Sequence, residues 1–345
     1  MKLLLTGGAG YVGSACLRWL LGHGHDPIAY DSLAEGNRPA VPGAAERLIV
    51  GDIADTDALA EAMRGRGVEA VMHFAALASV PESVADPGSY YRVNVSGTRS
   101  VLDAMRQAGV RRIVFSSTCA TYGFHTEMPL REDSPQLPET PYGKTKLACE
   151  WMIHDYAKAY ALGYAVLRYF NAAGADPDGD YGEDRRHEGH LIPLVLHAAV
   201  GRRPRVMIYG TDYATRDGTC ERDYIHTADL AQAHQLAVEA IEPGQGRAYN
   251  VGTGSGATVL EVLRACEEAV GRPIPHEFAG RRPGDPSVLI GSADRLRREL
   301  GWSPRYPDIR DIVRTAWEWH RRHPDGFPAD GPHSTAADPP RVAPS

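Results

Sequence analysis

The chain of 345 residues predicts an α/β fold: a doubly wound parallel sheet, with a smaller mixed α/β domain built from its later part. Three observations predict it. Short apolar runs alternate with helical patterns from residue 1 to about 116, the texture of a parallel sheet covered on both faces. Glycines at 7, 10 and 13 directly follow the first apolar run, Lys2-Leu3-Leu4-Leu5. Beyond residue 173 the alternation gives way to long stretches rich in Gly, Asp and Pro.

Strands are predicted near 2–6, 27–31, 47–50, 69–74 and 111–116, with helices near 11–23, 55–65 and 88–108. A helix over 141–162 and a strand over 165–170 complete this unit. Residues 174–189 and 202–223 lack periodicity and read as long loops with functional content. Helical patterns recur near 191–200, 227–241, 258–270, 292–299 and 308–322. The domain reading is 1–173 with 217–254 for a Rossmann-type unit, and 174–216 with 255–324 for a second unit. Residues 325–345 carry few large apolar side chains and are read as a disordered tail.

Composition narrows the function. Apolar residues make up 43% and charged residues 23%, as in ordinary soluble enzymes, and the net charge of -7 gives no reason to expect nucleic acid or an anionic membrane as partner. The five cysteines are scattered without C-x-x-C spacing, so neither a metal site nor a disulfide framework is expected. With no signal-like leader and no apolar run of membrane-spanning length, the expected compartment is the cytoplasm.

The glycines form a G-x-x-G-x-x-G turn between a strand and a helix. Such a turn lets the backbone approach a pyrophosphate, and the helix N-terminus adds unpaired N–H groups. A tight turn without a ligand has the same local appearance, so context decides. The second strand ends in Asp31, near the offset at which an acid meets the adenosine ribose, and a carboxylate there favours NAD over NADP. After the third strand, Asp52 suits an adenine amino group and Ile53 its ring, although Asp52 serves equally well as a helix cap. After the fourth come Phe74, Ala75 and Ala76, where small side chains leave room for a cofactor at the carboxyl edge of the sheet.

Tyr142 and Lys146 stand four residues apart, on one face of a predicted helix. A neighbouring ammonium or a nicotinium cation stabilises a phenolate and brings proton abstraction from an alcohol within reach. Thr118 ends a predicted strand, so its hydroxyl lies on the ligand edge of the sheet, where it can bridge the tyrosine and the reacting alcohol.

With these residues in place the chain resembles the extended short-chain dehydrogenase/reductases, and within them the UDP-sugar 4-epimerase branch, from about residue 1 to 328. Further matching segments include His73-Phe74-Ala75-Ala76, Arg168-Tyr169-Phe170-Asn171, Gly182-Glu183-Asp184, Glu221-Arg222-Asp223-Tyr224 and Arg282-Pro283-Gly284-Asp285. The resemblance implies a bound NAD and a UDP-glucose/UDP-galactose substrate pair oxidised and reduced at C4, with Tyr142 as base, Lys146 on the nicotinamide ribose and Thr118 on the 4-oxygen. It adds Tyr11, Val12, Asn94 and Tyr169 to the cofactor set. For the substrate it implies Asn171, His190, Leu191, Arg222, Arg282 and Asp285, with Leu289 at the place that gates the sugar 2-substituent, and a homodimer as the assembly. No metal is implied.

Three positions depart from the pattern. Ala78 replaces a lysine that touches the cofactor, His190 replaces an asparagine, and Thr118 replaces a serine while keeping the hydroxyl. A UDP-pentose or UDP-uronate 4-epimerase uses the same catalytic residues and stays open as an alternative. A sugar nucleotide dehydratase would need Asp-Glu after the strand-end threonine, where this chain has Cys119-Ala120.

Overall fold

The computed structural model describes residues 1–125, 127–282 and 284–328. Among them, strands β1 (Lys2–Thr6), β2 (Asp26–Asp31), β3 (Leu48–Val50), β4 (Ala70–His73), β5 (Arg112–Thr118) and β6 (Gly163–Tyr169) all run parallel in one sheet. The strands that follow are β7 (Asn171–Ala173), β8 (Val206–Tyr209), β9 (Glu221–His226), β10 (Gly246–Val251), β11 (Gly256–Thr258), β12 (His276–Ala279) and β13 (Val288–Leu289). The large sheet has the order β10-β6-β5-β4-β1-β2-β3. Strand order therefore reverses between β1 and β4, and the crevice outside their carboxyl ends is where doubly wound sheets take ligands.

β1 is apolar throughout because both of its faces are covered. Leu3 and Leu5 enter one core with residues of the helices Tyr11–Gly22 and Thr227–Ala240, while Leu4 enters another with residues of Thr56–Arg66, Gly97–Ala108 and Pro141–Tyr160. The turn after β1 admits only glycine at two points. Gly7 has φ +72°, and a Cβ there would lie 2.5 Å from the Ala75 nitrogen; a Cβ on Gly13 would lie 2.1 Å from the Gly7 oxygen. These contacts seat the first helix against the strand turn, as the spacing predicts.

A second, smaller assembly lies C-terminal to β6. β9 pairs with β7, β11 and β13, and β8 pairs with β12, while the helices Leu191–Ala199, Val259–Val270 and Ile309–Arg322 pack into a third core. Here the structure corrects the sequence reading. Residues 202–223 are not all loop, since β8 and the start of β9 fall within them. Val206 and Ile208 are inward-facing and buried, but this four-residue alternation is stabilised by β12, some seventy residues later. The expected helix over 88–108 is also divided: Pro87–Tyr90 leads through a wide π-helical turn, Tyr91–Ser96, into Gly97–Ala108. Residues 325–328 do not begin a loose tail. Phe327 lies over Trp319 with ring centroids 4.6 Å apart, and its N–H donates to Asp184 Oδ2 at 2.8 Å. The rest of the expected tail, 329–345, lies outside the described residues. Among those described, no helix is long and apolar enough to cross a membrane.

Candidate active site

The carboxyl edge of the large sheet carries two adjoining cavities that share Gly7, Gly10, Phe74, Ala76 and Leu77. Gly7, Gly10, Tyr11, Val12, Asp31, Asp52, Ile53, Phe74, Ala75, Ala76 and Tyr169 all line one or both. Three features fit a dinucleotide there. Gly7 and Gly13 leave no space for a Cβ, so bare backbone forms the cradle. The helix Tyr11–Gly22 has no side-chain cap, which leaves its first N–H groups to a ligand. Asp31 closes the far end: its carboxylate accepts the Ala9 N–H at 2.9 Å and the Leu33 N–H at 2.8 Å. Burial raises the Asp31 pKa, with both backbone bonds acting against that shift. Among the described residues no lysine or arginine lines that end to meet a 2′-phosphate, in keeping with NAD.

Two expectations for this region are refined. Asp52 lines the cavity, and its Oδ1 accepts the Ala54 N–H at 2.9 Å, but the cap of the helix Thr56–Arg66 is Asp55, which accepts the Ala58 N–H. Asn94 lines neither cavity. Its amide is spent within the protein, accepting from the Leu77 N–H at 2.8 Å and donating to the Leu77 oxygen at 3.0 Å and Thr145 Oγ1 at 3.1 Å. Through these bonds Asn94 ties the loop after β4 to the helix Pro141–Tyr160. Ala78 lines the cavity without supplying a cation.

The helix Pro141–Tyr160 begins on Thr140, whose hydroxyl accepts the Gly143 N–H at 3.2 Å. Tyr142 therefore sits in its first turn, half-buried, with its side chain near Thr118 at the end of β5. Desolvation pushes the phenol well above its ordinary pKa, while the Thr118 hydroxyl and the charge of Arg185 pull it back. One turn on, Lys146 is buried and donates from Nζ to the Ser116 oxygen at 2.8 Å. Burial lowers the ammonium pKa to about 8. Thr118 is the register partner of Tyr169, which lines the cofactor cavity, and Asn171 just beyond lines a third cavity. Thr118 thus lies beside the chain segment that leads from the first pair of cavities at Tyr169 to the third at Asn171.

The third cavity joins Asn171, His190, Leu191, Arg222, Arg282 and Asp285, all expected substrate residues. Arg222 Nη2 lies 3.4 Å from Asp285 Oδ1 and Arg282 Nε 4.0 Å from Asp285 Oδ2, so the two guanidinium groups converge on one carboxylate. His190 precedes the helix Leu191–Ala199, which no side chain caps, and its Nδ1 lies 2.6 Å from Glu183 Oε1. The Glu183 carboxylate raises the His190 pKa against the effect of burial. Leu289 does not line this cavity. It pairs in register with Arg222 and packs on Cys119, Tyr122, Leu130 and Phe170, next to the end of β5. Tyr11 lines both the cofactor cavity and the third one, where its hydroxyl donates to the Gly174 oxygen at 2.5 Å. Sequence reasoning missed Met207 and Tyr209 of β8 and Arg185; Tyr209 carries the Arg282 guanidinium 4.2 Å above its ring. The short apolar run Val206-Met207-Ile208-Tyr209 offered only a weak signal for the first two, while Arg185 had none.

A glycine-turn dinucleotide cradle, a Thr–Tyr–Lys centre and a separate cavity with two arginines define a nicotinamide-dependent enzyme acting on an anionic carbinol substrate. Residues 3–252 match the NAD dependent epimerase/dehydratase family, and the chain belongs to it. It is 50% identical over 317 residues to a UDP-glucose 4-epimerase of Corynebacterium glutamicum, covering 92% of this chain and 95% of that one. It is 48% identical over 328 residues to a UDP-glucose 4-epimerase of Halalkalibacterium halodurans, covering 95% and 98%. Among solved structures, the UDP-glucose 4-epimerase of Brucella ovis in complex with NAD is 46% identical and superposes with a TM-score of 0.88 over 92% of this chain and 97% of that one.

Desolvation of Lys146 yields a stability prediction. Its pKa falls on folding from the ordinary 10.5 to about 8, so between those values the unfolded chain holds the extra proton and wild-type stability rises with pH. Lys146→Met lacks that dependence. With cofactor removed from both proteins, the variant is expected to exceed wild type by about 1–3 kcal/mol at pH 7. Urea unfolding should show the gap closing between pH 8 and 10.5; a gap independent of pH would show that folding does not desolvate the ammonium.

Proposed function

We propose that the chain interconverts UDP-glucose and UDP-galactose by inverting C4 through a transient 4-keto sugar. The observation that carries this reading is Tyr142 beside Thr118 at the end of β5, next to the segment that runs from Tyr169 in the cofactor cavity to Asn171 in the arginine-bearing cavity. The relatives' names add the UDP-hexose pair. Residues 1–173 with 217–254 carry the cofactor in this reading, and 174–216 with 255–324 supply most of the substrate cavity.

Bound NAD supplies the acceptor and, once reduced, the donor of hydride at C4. Tyr142, as its phenolate, takes the 4-hydroxyl proton, becoming the phenol, and gives it back to the 4-oxygen at the end of the cycle. Thr118 holds the 4-oxygen beside it. Lys146, anchored on the Ser116 carbonyl, would hold the nicotinamide ribose, and its positive charge stabilises the Tyr142 phenolate before the proton arrives. Arg222 and Arg282 grip the diphosphate, where planar guanidinium groups suit phosphate oxygens. The sugar beyond it remains free to turn and present its other face. Cys119 and Ala120 follow Thr118, so no carboxylate stands there to expel water, as a dehydratase requires.

The chain works as a homodimer in the cytoplasm. The outer face of the helices Gly97–Ala108 and Pro141–Tyr160 supports the first point, for it holds a groove with Leu102, Met105, Tyr156 and Tyr160, and Trp151 nearby is 62% exposed. Five buried cysteines, all unpaired, suit a reducing compartment.

The direct test is incubation with UDP-galactose, UDP-N-acetylgalactosamine and UDP-arabinose, reading the epimer ratios; no epimer of UDP-galactose would end this reading. Tyr142→Phe should retain fold and NAD yet lose about 100-fold or more in turnover, as checked by cofactor absorbance and the same assay. For the sugar pocket, Leu289→Tyr should overfill the space beside the end of β5 at a cost of roughly 1–3 kcal/mol. This corresponds to about 5- to 150-fold lower kcat/KM on the N-acetylated pair alone; equal losses on both pairs would remove Leu289 from sugar selection. Light scattering should report a dimer that Trp151→Glu dissociates, and an unchanged mass would place the interface elsewhere.

A further inference from the structure

The cofactor cavity is rich in acids and poor in cations. Asp31, Glu35, Asp52, Glu82 and Asp184 line it, whereas Arg185 is the only lysine or arginine among the described residues that does so. A dinucleotide brings two further negative charges on its pyrophosphate, which the glycine turn meets with backbone dipoles alone.

Arg185 is held in place from several directions. Its Nε donates to Glu183 Oε1 at 2.8 Å, and that carboxylate, 5% exposed, is fixed in turn by His190 Nδ1 at 2.6 Å. Neither Nη of Arg185 has a hydrogen-bond partner among the described residues. The backbone around it is tied down on two sides. The Glu183 oxygen accepts from Trp319 Nε1 at 3.2 Å, and the Asp184 oxygen accepts from Asn37 Nδ2 at 3.0 Å. Asn37 itself donates its N–H to the Ala9 oxygen at 2.9 Å, inside the glycine turn. One residue therefore links the segment bearing Arg185 to the turn that it faces across the cavity.

From this arrangement we infer that Arg185 binds the pyrophosphate of the nicotinamide dinucleotide through its free Nη edge, and that residues 183–185 strap the cofactor into the glycine turn. The inference rests on reading the cavity as the cofactor's. Glu183 orients the guanidinium by holding Nε, which leaves the two-pronged edge for phosphate oxygens. Its charge also reaches the half-buried phenols of Tyr11, Tyr142 and Tyr169, slightly opposing the rise in pKa that desolvation imposes on each. The strap thus joins cofactor retention to the third cavity, which Glu183 and His190 line from the same segment.

The experiment compares wild type, Arg185→Gln, Arg185→Lys and Asp31→Ala, each purified as the holoenzyme. NAD per chain is measured before and after prolonged dialysis, and UDP affinity by calorimetry on freshly purified protein. Arg185→Gln is expected to release NAD about tenfold faster or more, the scale of one lost charge-assisted hydrogen bond, with UDP affinity unchanged. If Arg185→Gln does not fold, Arg185→Lys decides the matter: it keeps a charge beside Glu183 but not the planar fork, and about threefold faster release or more is expected. Wild-type retention of NAD in the folded Arg185 variants, beside rapid loss from Asp31→Ala, overturns the inference. Weakened UDP binding with NAD retained also overturns it, because the guanidinium then serves the nucleotide sugar. If Asp31→Ala and the Arg185 variants all retain NAD like wild type, the cavity assignment falls together with the inference.

Discussion

The catalytic helix is docked to the sheet by three rungs at a four-residue spacing, and the geometry of the site depends on them. Tyr142 faces Thr118, Lys146 bonds the Ser116 oxygen, and Glu150 accepts from Ser117 Oγ at 2.5 Å, so one stripe of the helix engages three successive residues of β5. The third rung bears no chemistry but fixes the other two. Glu150 Oε2 lies 2.7 Å from Arg168 Nη2, with both side chains 7% exposed, and Arg168 also holds Tyr122 and Gln136. A buried pair of this kind adds little net stability, yet removing one partner strands the other charge at a cost of about 3–5 kcal/mol. It acts as a register pin: a helix displaced along its axis would strand both charges at once.

The same pin reaches the substrate side. Tyr122, against Arg168, donates to Asn250 of β10 at 2.6 Å and packs with Leu130, Phe170 and Leu289. The loop after β5 is thereby sealed to the far edge of the large sheet. β13, which carries Leu289, runs beside Arg222 of β9 in one ladder. Leu289 and the cavity-lining Arg222 are therefore register partners on neighbouring strands, and a change of side chain at Leu289 can alter packing beside the end of β5 without moving Arg222.

What the sequence disclosed, and what it withheld, follows from the range of the forces involved. Gly7, Gly10 and Gly13, Asp31, and the Tyr142/Lys146 pair answer to local geometry: a turn without room for a Cβ, the end of one strand, a single helical turn. Each was legible where it stands. β8 and β12 exist only because they pair with each other, and their four-residue runs carry no sufficient signal alone. The local role of Asn94 escapes the sequence for the opposite reason. An amide in a ligand-rich region looks available until its partners, Leu77 and Thr145, are seen to occupy it. Arg185 lies in a stretch with no periodicity, and its importance arises from Asn37 and Trp319, each more than 130 residues away along the chain.

The packing of Phe327 on Trp319 has a practical bearing on how the protein is handled. The last helix ends at Arg322, which makes a tempting place to trim the chain for crystallisation. The N–H of Phe327, however, is bonded to the carboxylate of Asp184, the immediate neighbour of Arg185. Cutting after Arg322 would strip the outer face of Trp319 and free a segment that borders both ligand cavities. Shortened versions should therefore keep the chain through Phe327.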